Sequence, residues 1–132
     1  MTTDLSWLMT SLIEQTPGVV EAMLLSDDGL KVAHDGTLDT DAVDQMAAIS
    51  SGLVSLGLGF ETHCAAGRLR SLTVALTDRQ VVVMQAGGGA NLTVLADAEA
   101  DTGAIGIAMV QLVERLGWHL SVPARTAQPQ TP

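Results

Sequence analysis

Two adjacent aspartates, Asp27 and Asp28, stand before Gly29 between the apolar runs of "VVEAMLLSDDGLKVAHDG", residues Val19 to Gly36. Paired carboxylates at a loop tip suit general acid–base work or cation binding, provided that other ligands converge on them. Locally the tip offers only Lys31, His34 and Asp35. Turn chemistry explains the pair more simply. Asp28-Gly29 supplies the positive φ of a primed hairpin turn, and Asp27 is a solvated turn residue.

The other reactive side chains do not assemble a site either. His63 and Cys64 are sequence neighbours, and neighbours on an extended chain point apart, whereas a cysteine nucleophile needs a base aimed at it. One cysteine with three scattered histidines matches no zinc spacing. "GLGF" at Gly57–Phe60 lacks the strand and third glycine of a dinucleotide fingerprint, and "AGGGAN" at Ala86–Asn91 lacks the Lys-Ser/Thr of a phosphate loop. Arg68, Arg70 and Arg79 cluster around one strand pair, where an arginine finger is conceivable but an edge guarded against strand-to-strand aggregation is the simpler reading. "DAEAD", Asp97–Asp101, precedes a helix whose positive end it complements. The sequence therefore carries no catalytic residue, no metal site and no cofactor site.

The elements that hold these residues follow from periodicity and turn signals. Thr3 or Asp4 caps a first helix with Leu5, Leu8, Met9, Leu12 and Ile13 at helical spacing, stopped by Pro17-Gly18. Strands follow at Val19–Ser26 and Leu30–His34. A second helix, with Thr37, Asp39 and Thr40 as candidate caps, runs from Thr40 to about Gly57. Three strands come next, at Arg70–Thr77, Gln80–Gln85 and Leu92–Ala96. Asp101 or Thr102 caps a final helix reaching about Gly117. The expected fold is α+β, a five-stranded antiparallel sheet with helices on both faces. Residues 1–120 form one domain, and 121–132, with three prolines, form a disordered tail.

Composition narrows the function. The chain has 132 residues, 47% of them hydrophobic, enough for one core. Two Trp, one Phe and no Tyr leave no aromatic platform for bases or sugars. A formal charge of −9 repels phosphate backbones and anionic lipid, and the one lysine and five arginines are too scattered for a basic patch. Nucleic acid and anionic membrane surfaces are thus poor partners, and no run approaches the roughly 18 uninterrupted apolar residues of a membrane span, so direct membrane insertion is not expected. A lone cysteine and an N-terminus without a secretion signal point to the cytoplasm.

The second helix is apolar on two sides. Val43, Met46, Ala47, Ser50, Leu53, Val54 and Gly57 form one face, while Met46, Ile49, Leu53, Leu56 and Phe60 form a rotated stripe. Its own sheet covers one side only. Either the final helix covers the other or a second copy does. The expectation is a homodimer in which Met46, Ile49, Leu53 and Leu56 mediate self-association.

"LIEQTPGVVEAMLLSDDGLKVA", "DAVDQMAAISSGL" and "VVVMQAGGGANLTVLADAEADTGAIGIAMVQLVERL" together resemble the Roadblock/dynein light chain family over about Leu5 to Leu120. The likeness is closest to small bacterial, actinobacterial members that accompany a sensor-kinase-like protein and a Ras-like GTPase. It implies a sheet with one long helix on one face and two on the other. It also implies homodimers in which the second helices pair and edge strands join. The function it implies is a non-enzymatic adaptor or regulator that binds a small Ras-like GTPase. An alternative reading is a small-ligand-sensing module of similar sheet-and-helix build, which needs a roomy pocket with convergent polar groups.

Overall fold

The computed structural model describes residues 4–127. Val19–Ser26 is β1, a strand apolar at nearly every position because both of its faces are covered. Around it the chain runs α1 (Ser6–Gln15), β1, β2 (Lys31–Asp35), α2 (Thr40–Cys64), β3 (Leu72–Ala75), β4 (Arg79–Gly87), β5 (Ala90–Asp97) and α3 (Thr102–Ala127). The five strands form one sheet in the order β2-β1-β5-β4-β3, every neighbour antiparallel. The expected α+β fold with helices on both faces is the one observed.

Alternation along the central strands divides the core. Ala22 and Leu24 of β1 join Val82, Met84, Leu92 and Val94 of β4 and β5 under α1 and α3, which contribute Leu8, Met9, Leu12, Ile105, Met109, Leu112 and Leu116. Met23 and Leu25 point the other way, to Val43 and Ala47 of α2. The α2 side is thinner and partly polar: Ser50 and Thr93 share a buried hydroxyl–hydroxyl hydrogen bond of 2.8 Å.

Caps fall where short polar side chains precede the helices. Asp39 accepts from Ala42 N–H at 2.9 Å to open α2, and Asp101 accepts from Ala104 N–H at 3.1 Å at the start of α3. At α1 the cap position is Leu5, without a side-chain bond; Asp4 instead accepts from Ser6 N–H at 2.9 Å, and Thr3 lies outside the described residues.

Several boundaries differ from expectation. β3 is shorter than Arg70–Thr77, while β4 and β5 run further than expected into the Gly87–Gly89 turn. The second helix does not stop near Gly57 but runs to Cys64 and ends on Ala65 in the left-handed region at φ 50°. Gly57 is a packing residue, not a terminator. A Cβ there would lie 3.0–3.1 Å from the methyls of Leu69 and Leu72, so any side chain would have to push these leucines aside where the helix meets this corner of the sheet. The third helix likewise continues past Gly117 to Ala127, because a helical glycine costs only about 1 kcal/mol and does not by itself end a helix. The disordered tail expected from residue 121 is thus helical backbone to Ala127, and its remainder, 128–132, lies outside the described residues.

Gly57→Leu is expected to destabilise the fold by about 1–3 kcal/mol through overpacking against Leu69 and Leu72. The helix-propensity gain of under about 1 kcal/mol is too small to offset it. The midpoint of urea unfolding reads the change.

Candidate functional site

The carboxylate pair is structural. Ser26 N–H donates to Leu30 O at 2.8 Å and Gly29 N–H to Ser26 O at 3.0 Å, and only Gly29 of the tip has positive φ, at 88°. The loop is therefore three residues ending in a left-handed glycine, not the two-residue primed turn expected from Asp28-Gly29. Asp28 Oδ1 accepts from the Ser26 hydroxyl. Nor is Asp27 merely a solvated turn residue. Its N–H donates to Gly89 O at 2.8 Å, its O accepts from the Ser51 hydroxyl at 2.7 Å, and its Oδ1 accepts from Asn91 Nδ2 at 3.1 Å. This one residue ties the β1–β2 tip to the β4–β5 turn and to the middle of α2. The turn residues Gly87, Gly88 and Gly89 are all left-handed, with φ of 79°, 60° and 76°, a path closed to ordinary side chains.

Among the described residues the other reactive groups lie apart from one another. Cys64 is exposed at the end of α2, beside exposed His63. Arg79 pairs with Asp97 at 3.1 Å across two half-exposed side chains, and Arg68 and Arg70 are exposed before β3. Among the described residues no three His, Cys, Asp or Glu side chains are grouped to hold a metal ion.

One buried charge escaped sequence reasoning. Glu21 of β1 is 2% exposed and faces the connection from β2 to α2. Its carboxylate accepts from Thr37 N–H at 2.7 Å, Thr37 Oγ1–H at 3.1 Å and Leu38 N–H at 3.3 Å, and it bonds His34 Nε2 at 2.8 Å. Burial pushes its pKa up, but the hydrogen bonds from His34, Thr37 and Leu38 outweigh burial and hold it below the usual 4.5. Gly36, at φ 136°, makes the approach possible: a Cβ there would come within 2.0 Å of the carboxylate. Glu21 thus fixes where α2 begins. A lone acid inside an apolar strand was the available signal, and "VVEAMLL" carries it.

Part of the exposed surface is apolar. On the outward side of α2, Ile49 is 54% exposed, Leu56 72% and Phe60 67%, with Leu53 half-buried between them. Val43, Ala47, Ser50, Val54 and Gly57 are the side buried on the sheet, as the sequence pattern implies. Met46 is the exception among the expected interface residues, since it packs against the Met23–Leu25–Val43 cluster. Within the outward stripe, Gly52 and Gly59 have open space where a Cβ would be. The final helix does not lie across α2; it packs on the opposite face of the sheet with α1. This leaves α2 apolar on both sides, and by length and composition it would even suffice to cross a bilayer.

A family model described as the Roadblock/LC7 domain matches residues 5–96. The chain belongs to the Roadblock/LC7 family. A Roadblock/LC7 domain structure from Streptomyces avermitilis is 39% identical, covering 91% of this chain and 100% of its own, with a TM-score of 0.84. A second Roadblock/LC7 domain from that organism is 30% identical over 86% of this chain and 98% of its own, with a TM-score of 0.69. An MglB structure described with a tetrameric arrangement shares the fold at 18% identity, covering 83% of this chain and 82% of its own, with a TM-score of 0.73. No curated protein sequence matches the chain. The Roadblock resemblance read from the sequence thus holds for fold and family.

Glu21→Gln is expected to cost about 2 kcal/mol at neutral pH, the scale of hydrogen bonds to a buried charge. Because the folded pKa is depressed, the carboxylate's contribution is complete above the ordinary value of 4.5 and is lost as pH falls through the lower folded value. The stability gap between wild type and Glu21→Gln should therefore narrow below that pH in urea titrations. A gap unchanged from pH 7 to pH 3 would contradict this account.

Proposed function

We propose that this Roadblock/LC7 protein is a non-enzymatic homodimeric adaptor, binding a small Ras-like GTPase in a bacterial, cytoplasmic signalling complex. A sensor-kinase-like protein is a further candidate partner. The carrying observation is the outward face of α2, where Ile49, Leu56 and Phe60 lie in the open around Leu53 and two glycines. Covering a side chain of this size gains roughly 1.5–3 kcal/mol. Since Ile49, Leu56 and Phe60 are 54%, 72% and 67% exposed, three from each of two copies gain roughly 6–12 kcal/mol, comparable with the roughly 4–15 kcal/mol cost of association. A second copy of the same helix supplies a partner of matching shape, and Gly52, Ser55 and Gly59 permit close approach of the backbones.

The GTPase partner is supported by family membership. Of the self-association residues, Ile49, Leu53 and Leu56 stand on the open face, and Phe60 extends it. Met46 acts at most through its packing on the core.

Ile49→Glu with Leu56→Glu is expected to convert a dimer into a folded monomer, read by sedimentation velocity with unchanged circular dichroism. For the partner, the protein is titrated with whichever Ras-like GTPase is encoded nearest to it, loaded with GDP or a non-hydrolysable GTP analogue. Preference for the GTP form supports an effector-like or hydrolysis-regulating role, and preference for GDP supports exchange. Binding in neither state would overturn the GTPase reading for that partner.

A further inference from the structure

The first and last helices face each other along helical spacings. Leu8, Ser11, Leu12, Gln15 and Thr16 recur on one side of α1, and Gln111, Leu112 and Arg115 on one side of α3. Between them lies a cleft of about 180 Å³. Leu8, Leu12 and Leu112, all buried, form its apolar part.

The polar part of the lining lacks partners. Ser11, Gln15, Thr16 and Gln111 border the cleft, and among the described residues none of their side chains makes a hydrogen bond. Thr16 is the telling one. It is 4% exposed, and a hydroxyl so deeply placed normally has a partner. Here it adjoins the cleft instead. Arg115 completes the lining, its guanidinium 5.4 Å from the centre of the Trp7 ring that it covers. A guanidinium stacked in this way is held in place and keeps its N–H fork free for a planar anion. Arg115 makes no ion pair among the described residues.

Charge and size select the ligand. The cleft is bordered by one cation and by no Asp or Glu, in a chain with 15 acidic residues and a formal charge of −9. One guanidinium matches one carboxylate, whereas the second negative charge of a phosphate needs more cation than the cleft offers. Drug-sized ligands take about 300 Å³ or more, but a dry cavity of about 150 Å³ already holds benzene. The larger hollow between α3 and the start of β3, about 640 Å³, selects no charge. Arg70 and Glu114 both border it, beside the exposed Ile107 and Val110.

We propose that the α1–α3 cleft binds a small monocarboxylate. The carboxylate meets Arg115 and the neighbouring amides and hydroxyls, and a compact apolar body of about one ring rests on Leu8, Leu12 and Leu112. The site lies on the sheet face opposite α2, so it stays open whether or not the outward stripe of α2 is covered. It therefore depends on neither the homodimer nor the GTPase. A ligand bridging two helices stabilises their packing, which makes the chain responsive to that ligand.

The test follows backbone amide resonances of the full, isotope-labelled chain while sodium benzoate is added at neutral pH. Benzamide, the uncharged counterpart of nearly the same shape, is the comparison. Saturable shifts centred on residues 8–16 and 108–115 are expected with benzoate, and binding at least about tenfold weaker with benzamide. Arg115→Gln should weaken benzoate binding by about the same factor, and Ser11→Leu, which fills the cleft, should abolish it. Arg115 is exposed and Ser11 half-buried, so circular dichroism should show both variants folded. No saturable shift at these amides overturns the site. Equal binding of benzoate and benzamide, or of benzoate to wild type and Arg115→Gln, overturns the assignment of a carboxylate to Arg115.

Discussion

A five-stranded sheet whose strands are apolar on both sides has to be covered on both sides, and here the two coverings are unequal. Under α1 and α3 the core is deep, built from leucines, methionines and valines. On the other face a single helix crosses the sheet, and small residues bring it close: Ala47, Ser50 and Gly57 share its buried side with Val43 and Val54. Close approach substitutes for bulk, as dispersion falls off steeply with separation. The same economy leaves the large side chains of α2 on its outer surface. A helix that seals its sheet with alanine, serine, glycine and two valines leaves Ile49, Leu56 and Phe60 on its outer surface.

That arrangement depends on α2 being held in one place. Its start is tied by Glu21, which gathers Thr37 and Leu38 amides just ahead of the Asp39 cap. Its middle is tied by Ser51 to the Asp27 carbonyl and by Ser50 to Thr93. Its far half rests on Leu69 and Leu72 through Gly57. Three polar or steric pins along one helix hold an outward apolar face in fixed relation to the sheet. Buried and satisfied polar groups specify such placement better than an apolar contact does, because a shifted helix would leave each of them unpaired.

Much of this was legible in the chain. The order of elements, the Asp-Gly hairpin, the Asp39 and Asp101 caps and the two-sided apolarity of α2 are all local in sequence, and local patterns report local structure. Element ends were less legible. Gly57 and Gly117 read as terminators, yet a glycine within a helix costs little, and at Gly57 the absence of a side chain is what the neighbouring leucines require. The roles of Asp27 and Glu21 were not legible either. Both depend on partners far away in sequence, Asn91 and Ser51 for one, His34 and Thr37 for the other.

By itself, then, the sequence determined the fold class, the absence of any local catalytic or metal-binding motif, and a helix with more apolar surface than one sheet can cover. Tertiary structure alone decided which apolar surface stays open. Strand order is the physical reason. The chain inserts β5 between β1 and β4, a pairing of strands some seventy residues apart such as Met23 with Thr93. This leaves β2 and β3 as edges and sends α1 and α3 together to one face. Periodicity cannot say which face a helix will take. The pairing does, by fixing the direction in which each strand delivers the next helix.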